Sequence, residues 1–342
     1  MIMSMTEKKL TADLFRPAQI ETGQSEQIGK PSLSFWQDAM RRLRKNTAAM
    51  IGLFAIVFII LFSLIAPTLS QYGFDDQELM RASLPPKIPG LEKVGFLGVD
   101  GVDIRGVDQY EMKSIPKDQY YWFGTDGLGR DQWTRVWKGT QVSLYIAFLA
   151  ATIDLIVGVA YGGISAFYGG RTDDIMQRIV EVLVGIPNLV VIILFIIILD
   201  PGILSITLAL VVTGWIGMSR IVRAQILKLK HQEFVLASKT LGSTNGRLIS
   251  KHLLPNTLGA IIITSTFTIP GAIFSEAFLS FIGLGIQPPT ASLGALINDG
   301  FRSLRIYPHL AIYPAAVMCI LMISFNLVGD GLRDALDPKM RK

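Results

Sequence analysis

Six stretches of this chain are apolar over lengths that match a lipid bilayer, and polar segments of very unequal length separate them. Residues 47–66 are twenty positions without a charge, enough for one helical crossing of a hydrocarbon layer about 30 Å thick. Further apolar runs cover about 142–167, 179–199, 203–219, 257–275 and 306–329. Inside lipid every backbone polar group must be satisfied within its own segment, so each run is read as a helix. The pattern predicts an all-α polytopic membrane protein with six transmembrane helices. Only three residues, Asp200, Pro201 and Gly202, separate the third run from the fourth. In contrast, the segment between the first and second runs is long, with prolines at 85, 86, 89 and 116 and many glycines.

Charge orients this pattern. Half of the 342 residues are hydrophobic and mean hydropathy is +0.44, with a net charge of +5. Such a surplus in a soluble protein would suggest nucleic acid. Here it sits beside the spans, where the cytoplasmic bias of Lys and Arg explains it. The sequence RRLRK immediately precedes the first span, and residues 220–256 hold seven Lys/Arg against one acid, Glu233. Residues 67–138 hold nine basic and eleven acidic positions and are placed outside. The expected organisation is a cytoplasmic tail over 1–46, a first transmembrane helix at 47–66 and an extracytoplasmic segment at 67–138. A five-helix core follows at 139–330, with a cytoplasmic loop at 220–256, and then a cytoplasmic tail at 331–342. Both termini are expected in the cytoplasm of a multi-pass cell-membrane protein. Residues 34–45 suit a basic amphipathic helix lying along membrane lipid. The polar lead-in is too long for a secretory signal.

Several chemistries are excluded. Cys319 is the only cysteine and lies within an apolar run, so no disulfide or thiolate metal site forms within the chain. Three dispersed histidines argue against a catalytic zinc. The only Gly-Lys pair, Gly29-Lys30, precedes Pro31, so no phosphate-binding loop is present. No catalytic residues, cofactor or metal are expected, and the Gly-Val-Asp repeats near residue 100 read as solvated turns. Asp154 and Glu276 lie in or beside apolar runs, where an acid faces the bundle interior or water. Both are candidates for the pathway or for intramembrane pairing. Gly158, Gly162 and Ala166 recur every four residues, which lets helix backbones approach. Pro187, Pro270 and Pro314 are expected to be static kinks.

The basic loop has a specific pattern, EFVLASKTLGSTNGRLISKHLLP over residues 233–255. Phe234, Val235, Leu236 and Leu241 space apolar side chains along a short amphipathic helix. Gly242 is placed to cap it, Ser243 to start a second short helix, and Pro255 to open the next span. This segment resembles the EAA loop of importer-type ABC transporter permeases: E-A-A, three residues, G, nine residues, I, one residue, L-P. Ala237, Gly242, Leu254 and Pro255 match at that spacing. Leu236 stands in the glutamate position, Ser238 in that of the second alanine and His252 in that of the isoleucine. The lead-in from Glu233 and the exit HLLPN look more like the dipeptide and oligopeptide branch. An ordinary basic connector lying on anionic head groups is the alternative reading of the loop by itself.

Two further stretches carry the same resemblance. FGTDGLGRDQWTR, residues 123–135, is similar to the F-G-T-D-x-x-G-R-D-x-x-S-R signature of that branch, with Thr134 in the serine position. Gly124 and Gly129 permit tight turns, and Asp126, Arg130 and Asp131 are expected to brace the next helix in preference to touching substrate. FLSFIGLGIQPPTASLGALINDG, residues 278–300, resembles a second family stretch, with Leu293 where tryptophan is usual. The resemblance implies the importer-type permease fold and one half of a translocation pathway for oligopeptides or dipeptides. It implies a homologous permease partner, two cytoplasmic ATPase subunits and an extracellular solute-binding protein. Glu233, Ala237, Gly242, Leu254 and Pro255 would then couple the permease to the ATPases. A nickel chelate or another small solute is the alternative cargo. An ion-driven secondary transporter would show inverted repeats with broken helices, and an intramembrane hydrolase would need a facing nucleophile and base; neither pattern is evident.

Overall fold

A computed structural model of the chain describes residues 34–91 and 98–336, and in those residues the protein is helical without named strands. The expected tails over 1–33 and 337–342 lie outside the described residues. The basic amphipathic segment is a helix, α1 (Phe35–Lys45). Asn46 then caps α2 (Thr47–Leu69), accepting a hydrogen bond from the Ala49 N–H at 3.1 Å. A four-residue turn, α3 (Gln109–Met112), lies within the long polar segment.

The spans run longer than the apolar pattern. α4 (Gln132–Tyr168) starts ten residues before the run expected at 142, because Asp131 caps it by accepting from the Thr134 N–H at 3.1 Å. α7 (Ile203–Leu229) continues ten residues past the expected end at 219. The charges there mark where lipid ends, not where helix ends, and no glycine or proline interrupts residues 218–229. α12 (His309–Leu336) likewise extends beyond 329 and keeps Pro314 inside it. The third expected span is broken. α5 (Gly170–Gly185) and α6 (Asn188–Leu199) meet at an 80° bend. Pro187 supplies no N–H and pushes its predecessor Ile186 into the extended region, at φ −87° and ψ 123°. Among the described residues, five helices are thus long and apolar enough to cross a membrane, and the bent pair taken together makes a sixth.

The basic segment after α7 forms α8 (Glu233–Thr240) and a first turn α9 (Asn245–Arg247), then a π-helical stretch, Leu248–Leu253, that runs into α10 (Leu254–Phe281). The second short helix expected here is therefore the start of a continuous 37-residue helix, 245–281. The wider turn precedes Pro255, and Leu254 N–H bonds Ile249 C=O, five residues back. Proline would strip the regular ladder of one donor and crowd the carbonyl four residues before it; the wide turn accommodates both. α11 (Leu293–Arg302) is a short helix between α10 and α12.

α4 is central, lying against α7, α10 and α2, while α12 packs on α2, α10 and α11. The α4–α7 contact needs small residues. A β-carbon on Gly162 would lie 2.2 Å from Ser219 O, and one on Gly158 2.6 Å from Met218 Cβ. At one end of the bundle Phe62, Trp133 and Trp137 interlock edge to face, and Trp133 Nε1 donates to Ala66 O at 2.8 Å. Above them the polar segment has its own small core of Leu84, Tyr110 and Tyr121, with Arg81 over the rings of Tyr72 and Tyr121. Asp103 of the Gly-Val-Asp repeat closes a turn by accepting from the Arg105 and Val107 N–H groups.

Gly162→Val is expected to destabilise the purified protein by about 1–3 kcal/mol or more through overpacking. Gly163→Ala, whose β-carbon would meet only Ile226 Cδ1 at an ordinary 3.7 Å, should be neutral or slightly stabilising. Thermal unfolding in detergent checks the pair, and equal losses would contradict the close α4–α7 crossing.

Candidate functional site

The expected site residues fall into two clusters, the loop over 233–255 and the signature over 124–131, and Asp154 and Glu276 belong to neither. The first cluster is α8 and the turn that follows. Glu233 occupies its first turn, where a carboxylate suits the helix N-terminus. Val235 is 3% exposed and packs with Leu248, Leu253 and Ile226, which seats α8 on α7 and the start of α10. Phe234 and Leu236 are exposed, and Leu241 is 87% exposed. Ala237 is also exposed.

α8 ends in a Schellman motif. Gly242 has φ +84°, its N–H bonds Lys239 O at 3.0 Å, and the Ser243 N–H bonds Ser238 O at 3.2 Å. Space around the Gly242 α-carbon is open, so backbone conformation alone selects glycine there. Thr244, not the expected Ser243, caps the next turn by accepting from the Arg247 N–H. Ser243 is engaged elsewhere. Its hydroxyl lies 2.9 Å from that of Ser238, which lies 3.2 Å from His252 Nε2. The departures at Ser238 and His252 from the family pattern therefore touch each other and tie α8 to the π-helical turn. Leu254 and Pro255 sit one turn further on, half-buried and exposed respectively.

A second tie at this end was invisible in the sequence. Arg223 of α7 donates from Nε and Nη2 to the two carboxylate oxygens of Asp173 in α5, at 2.7 and 2.5 Å. Lys230 Nζ donates to Ala166 O at 2.8 Å, at the end of α4. A bidentate guanidinium–carboxylate fork fixes orientation as well as distance. Fifty residues separate the partners in the chain, and neither belongs to a motif.

At the other end the signature forms a tight brace. Asp126 Oδ1 accepts from the N–H groups of Leu128 and Arg130, and Oδ2 accepts from Arg130 Nε at 2.7 Å. Arg135 Nε lies 3.6 Å from the same Oδ2. Gly124 and Gly129 have φ +78° and +76°, and a β-carbon on Gly129 would lie 1.9 Å from Glu78 O. Asp131 is buried, which pushes its carboxyl up, while hydrogen bonds from Thr134 and Ser70 pull it back.

The two intramembrane acids differ. Glu276 is 0% exposed and accepts from Ser143 Oγ at 2.9 Å and Ser280 Oγ at 2.7 Å. Ser143 Oγ in turn accepts from the Leu293 N–H, and Ser292 caps α11 through the Ala295 N–H. Glu276 thus joins α4, α10 and α11. Asp154 is 5% exposed, and its Oδ1 has no hydrogen-bond partner. It lies over Gly214 of α7, where a β-carbon would come within 2.6 Å of the carboxylate. The structure does not bring Asp154 and Glu276 together as a pair.

Comparison with known proteins follows this architecture. The family model described as "Binding-protein-dependent transport system inner membrane component" matches residues 158–342, and "N-terminal TM domain of oligopeptide transport permease C" matches residues 34–86. The Oligopeptide transport system permease protein OppC of Bacillus subtilis (strain 168) is 46% identical over 98% of this chain and 100% of its own length. The Dipeptide transport system permease protein DppC of the same organism is 45% identical over 95% of this chain and 92% of its own. Among solved structures, a chain of the inward-facing MetNI methionine ABC transporter matches with a TM-score of 0.50 at 18% identity, covering 59% of this chain and 96% of that one. That last likeness concerns the fold alone. The chain belongs to the binding-protein-dependent transport system inner membrane components, in their oligopeptide and dipeptide permease branch.

Proposed function

We propose that this chain forms half of a translocation pathway for oligopeptides or dipeptides, paired with a homologous permease chain in the cell membrane. Two cytoplasmic ATPase subunits dock on the pair, and an extracellular solute-binding protein delivers the cargo. Both termini and α8 face the cytoplasm, while residues 70–131 face outward. The observation that carries this reading is the set of exposed apolar side chains on and beside α8. Phe234 and Leu236 stand exposed on the two flanks of the buried Val235, and Leu241 is exposed at the helix C-cap, in a segment where basic residues outnumber acids seven to one. An apolar patch with a polar rim marks a protein contact. The peptide cargo is supported by the names of the relatives that match nearly the whole chain.

In this mechanism ATP binding closes the partner ATPases and draws α8 with them. Val235 and the Ser238–His252 contact make α8 move as one body with the start of α10. The Arg223–Asp173 fork passes the displacement from α7 to α5 and the end of α4. A rigid-body rearrangement of the helices then alternates access between the two sides. Glu233, Ala237, Gly242, Leu254 and Pro255 act in this coupling; Asp126, Arg130 and Asp131 brace the outer end.

Gly242→Asp should leave membrane insertion and permease pairing intact, because the loop lies outside the bilayer. A side chain at φ +84° strains the cap by about 1 kcal/mol or more. Peptide uptake, transport-coupled ATP hydrolysis and ATPase co-purification should fall together in reconstituted complexes. Full uptake with normal ATPase retention would reduce the loop to a basic connector. His252→Ala and Ser238→Ala should each raise the ATP consumed per peptide, and the double variant should be no worse than either single one. Additive effects would show that the two residues act separately. For topology, a cysteine replacing Lys113 should react with an impermeant reagent in intact cells, and one replacing Lys239 only after permeabilisation; the reverse pattern would invert the orientation.

A further inference from the structure

A cavity of about 200 Å³ opens beside the end of α2, and its lining carries one sign of charge. Tyr72, Tyr120, Trp122 and Trp133 supply aromatic rings, Asp118 and Asp131 supply carboxylates, and among the described residues no Lys or Arg lines it. Trp122 and Trp133 meet edge to face at 4.6 Å, and the bond from Trp133 Nε1 to Ala66 O fixes that corner to the last turn of α2. The two acids differ. Asp131 already accepts from Ser70 and Thr134, so it contributes charge in place of a free acceptor. Asp118 is exposed and has no hydrogen bond or ion pair among the described residues. Lys87 stands 5.6 Å from the centre of the Tyr120 ring, outside the lining, and likewise forms no ion pair among the described residues.

Leu69, which lines the cavity, also ends an exposed apolar stripe on α2. Phe54, Phe58, Leu61, Ile65 and Leu69 recur every three or four residues, as one face of a helix does, and each is at least 50% exposed. The 23 residues of α2 rise by about 34 Å, close to the thickness of a hydrocarbon core. Leu69 and the cavity therefore stand at headgroup level. We propose that this cavity binds the headgroup of an amine-bearing phospholipid, a phosphatidylethanolamine, with one acyl chain lying along the α2 stripe. The ammonium donates to Asp118 and rests against the indole of Trp122, the ring type that attracts cations best. The phosphate, one two-carbon link away, meets Lys87. An anionic lipid without an amine would set its phosphate against the two acids with nothing to offset them. A peptide N-terminus would bring the ammonium alone, without the phosphate or the chain that covers the stripe.

The assembled importer, purified in detergent and depleted of native lipid, is titrated with phosphatidylethanolamine or with phosphatidylglycerol of the same acyl chains. Bound lipid is counted by native mass spectrometry. The amine lipid should be retained in preference. Asp118→Asn, at an exposed position, should weaken its retention by about five-fold and leave that of phosphatidylglycerol unchanged. Trp122→Leu should weaken it by a similar factor, about five-fold. Equal retention of the two lipids, or an unchanged preference in Asp118→Asn, would overturn the assignment. Release of the amine lipid by a peptide with a free N-terminus, but not by its N-acetyl form, would overturn it in favour of the ammonium of a peptide. Retention of neither lipid would overturn it in favour of a protein surface covering the stripe.

Discussion

Where Gly158 and Gly162 of α4 meet residues 214–219 of α7, the two backbones lie closer than a pair of ordinary side chains would permit. Lipid supplies no hydrophobic drive for helices to associate, so close van der Waals contact between small residues is what holds such a pair. This crossing gives α7 a fixed line, and α7 continues along it for ten residues past the apolar run. That extension puts Arg223 opposite Asp173 and Lys230 opposite Ala166 O. α8 is then seated by Val235 against Ile226 and Leu248. α8, with its exposed apolar side chains, is therefore built on a stiff path that begins at glycine contacts inside the membrane-spanning bundle.

The other half of the molecule is organised by buried acids whose partners are hydroxyl and backbone N–H groups. Burying a carboxylate is costly unless its oxygens are satisfied. Glu276 meets that condition with serines from two helices, and its network also caps α11. Asp131 does the same at the start of α4, with Ser70, Thr134 and a backbone N–H. Each acid thereby fixes the join between a span and the segment outside it. Asp154 has no such set: its carboxylate is packed over Gly214, inside the same α4–α7 contact that the glycines create. The signature residues add a further brace through Asp126, which holds Arg130 and lies beside Arg135.

The segment around α8 shows how a departure from a family pattern acquires meaning. Ser238 and His252 read as two unrelated mismatches fourteen residues apart. In space their side chains meet, with Ser243 as a third member. Two small or apolar residues would pack there without hydrogen bonds; a serine and a histidine supply a polar link between the same elements. The engagement of Ser243 in that link also explains why Thr244 takes the capping position.

Hydrophobic run length and charge were enough to read from the sequence an all-α membrane protein, because lipid thickness and the need to satisfy every backbone group leave few alternatives. Gly242 as a helix stop and Gly158/Gly162 as a close-packing face were legible too, since only glycine meets those backbone demands cheaply. The three motifs placed the chain in its branch of permeases. Helix ends at Gln132, Leu229 and Leu336 were not legible, because hydropathy reports where lipid stops and says nothing about where a helix stops. The 80° break at Pro187 exceeded the expected kink, because the extended backbone at Ile186 separates two helices where a kink would only bend one. The Arg223–Asp173 fork and the serine shell of Glu276 were decided only by tertiary structure. Each joins residues tens to more than a hundred positions apart, and no local periodicity encodes which distant side chains will meet.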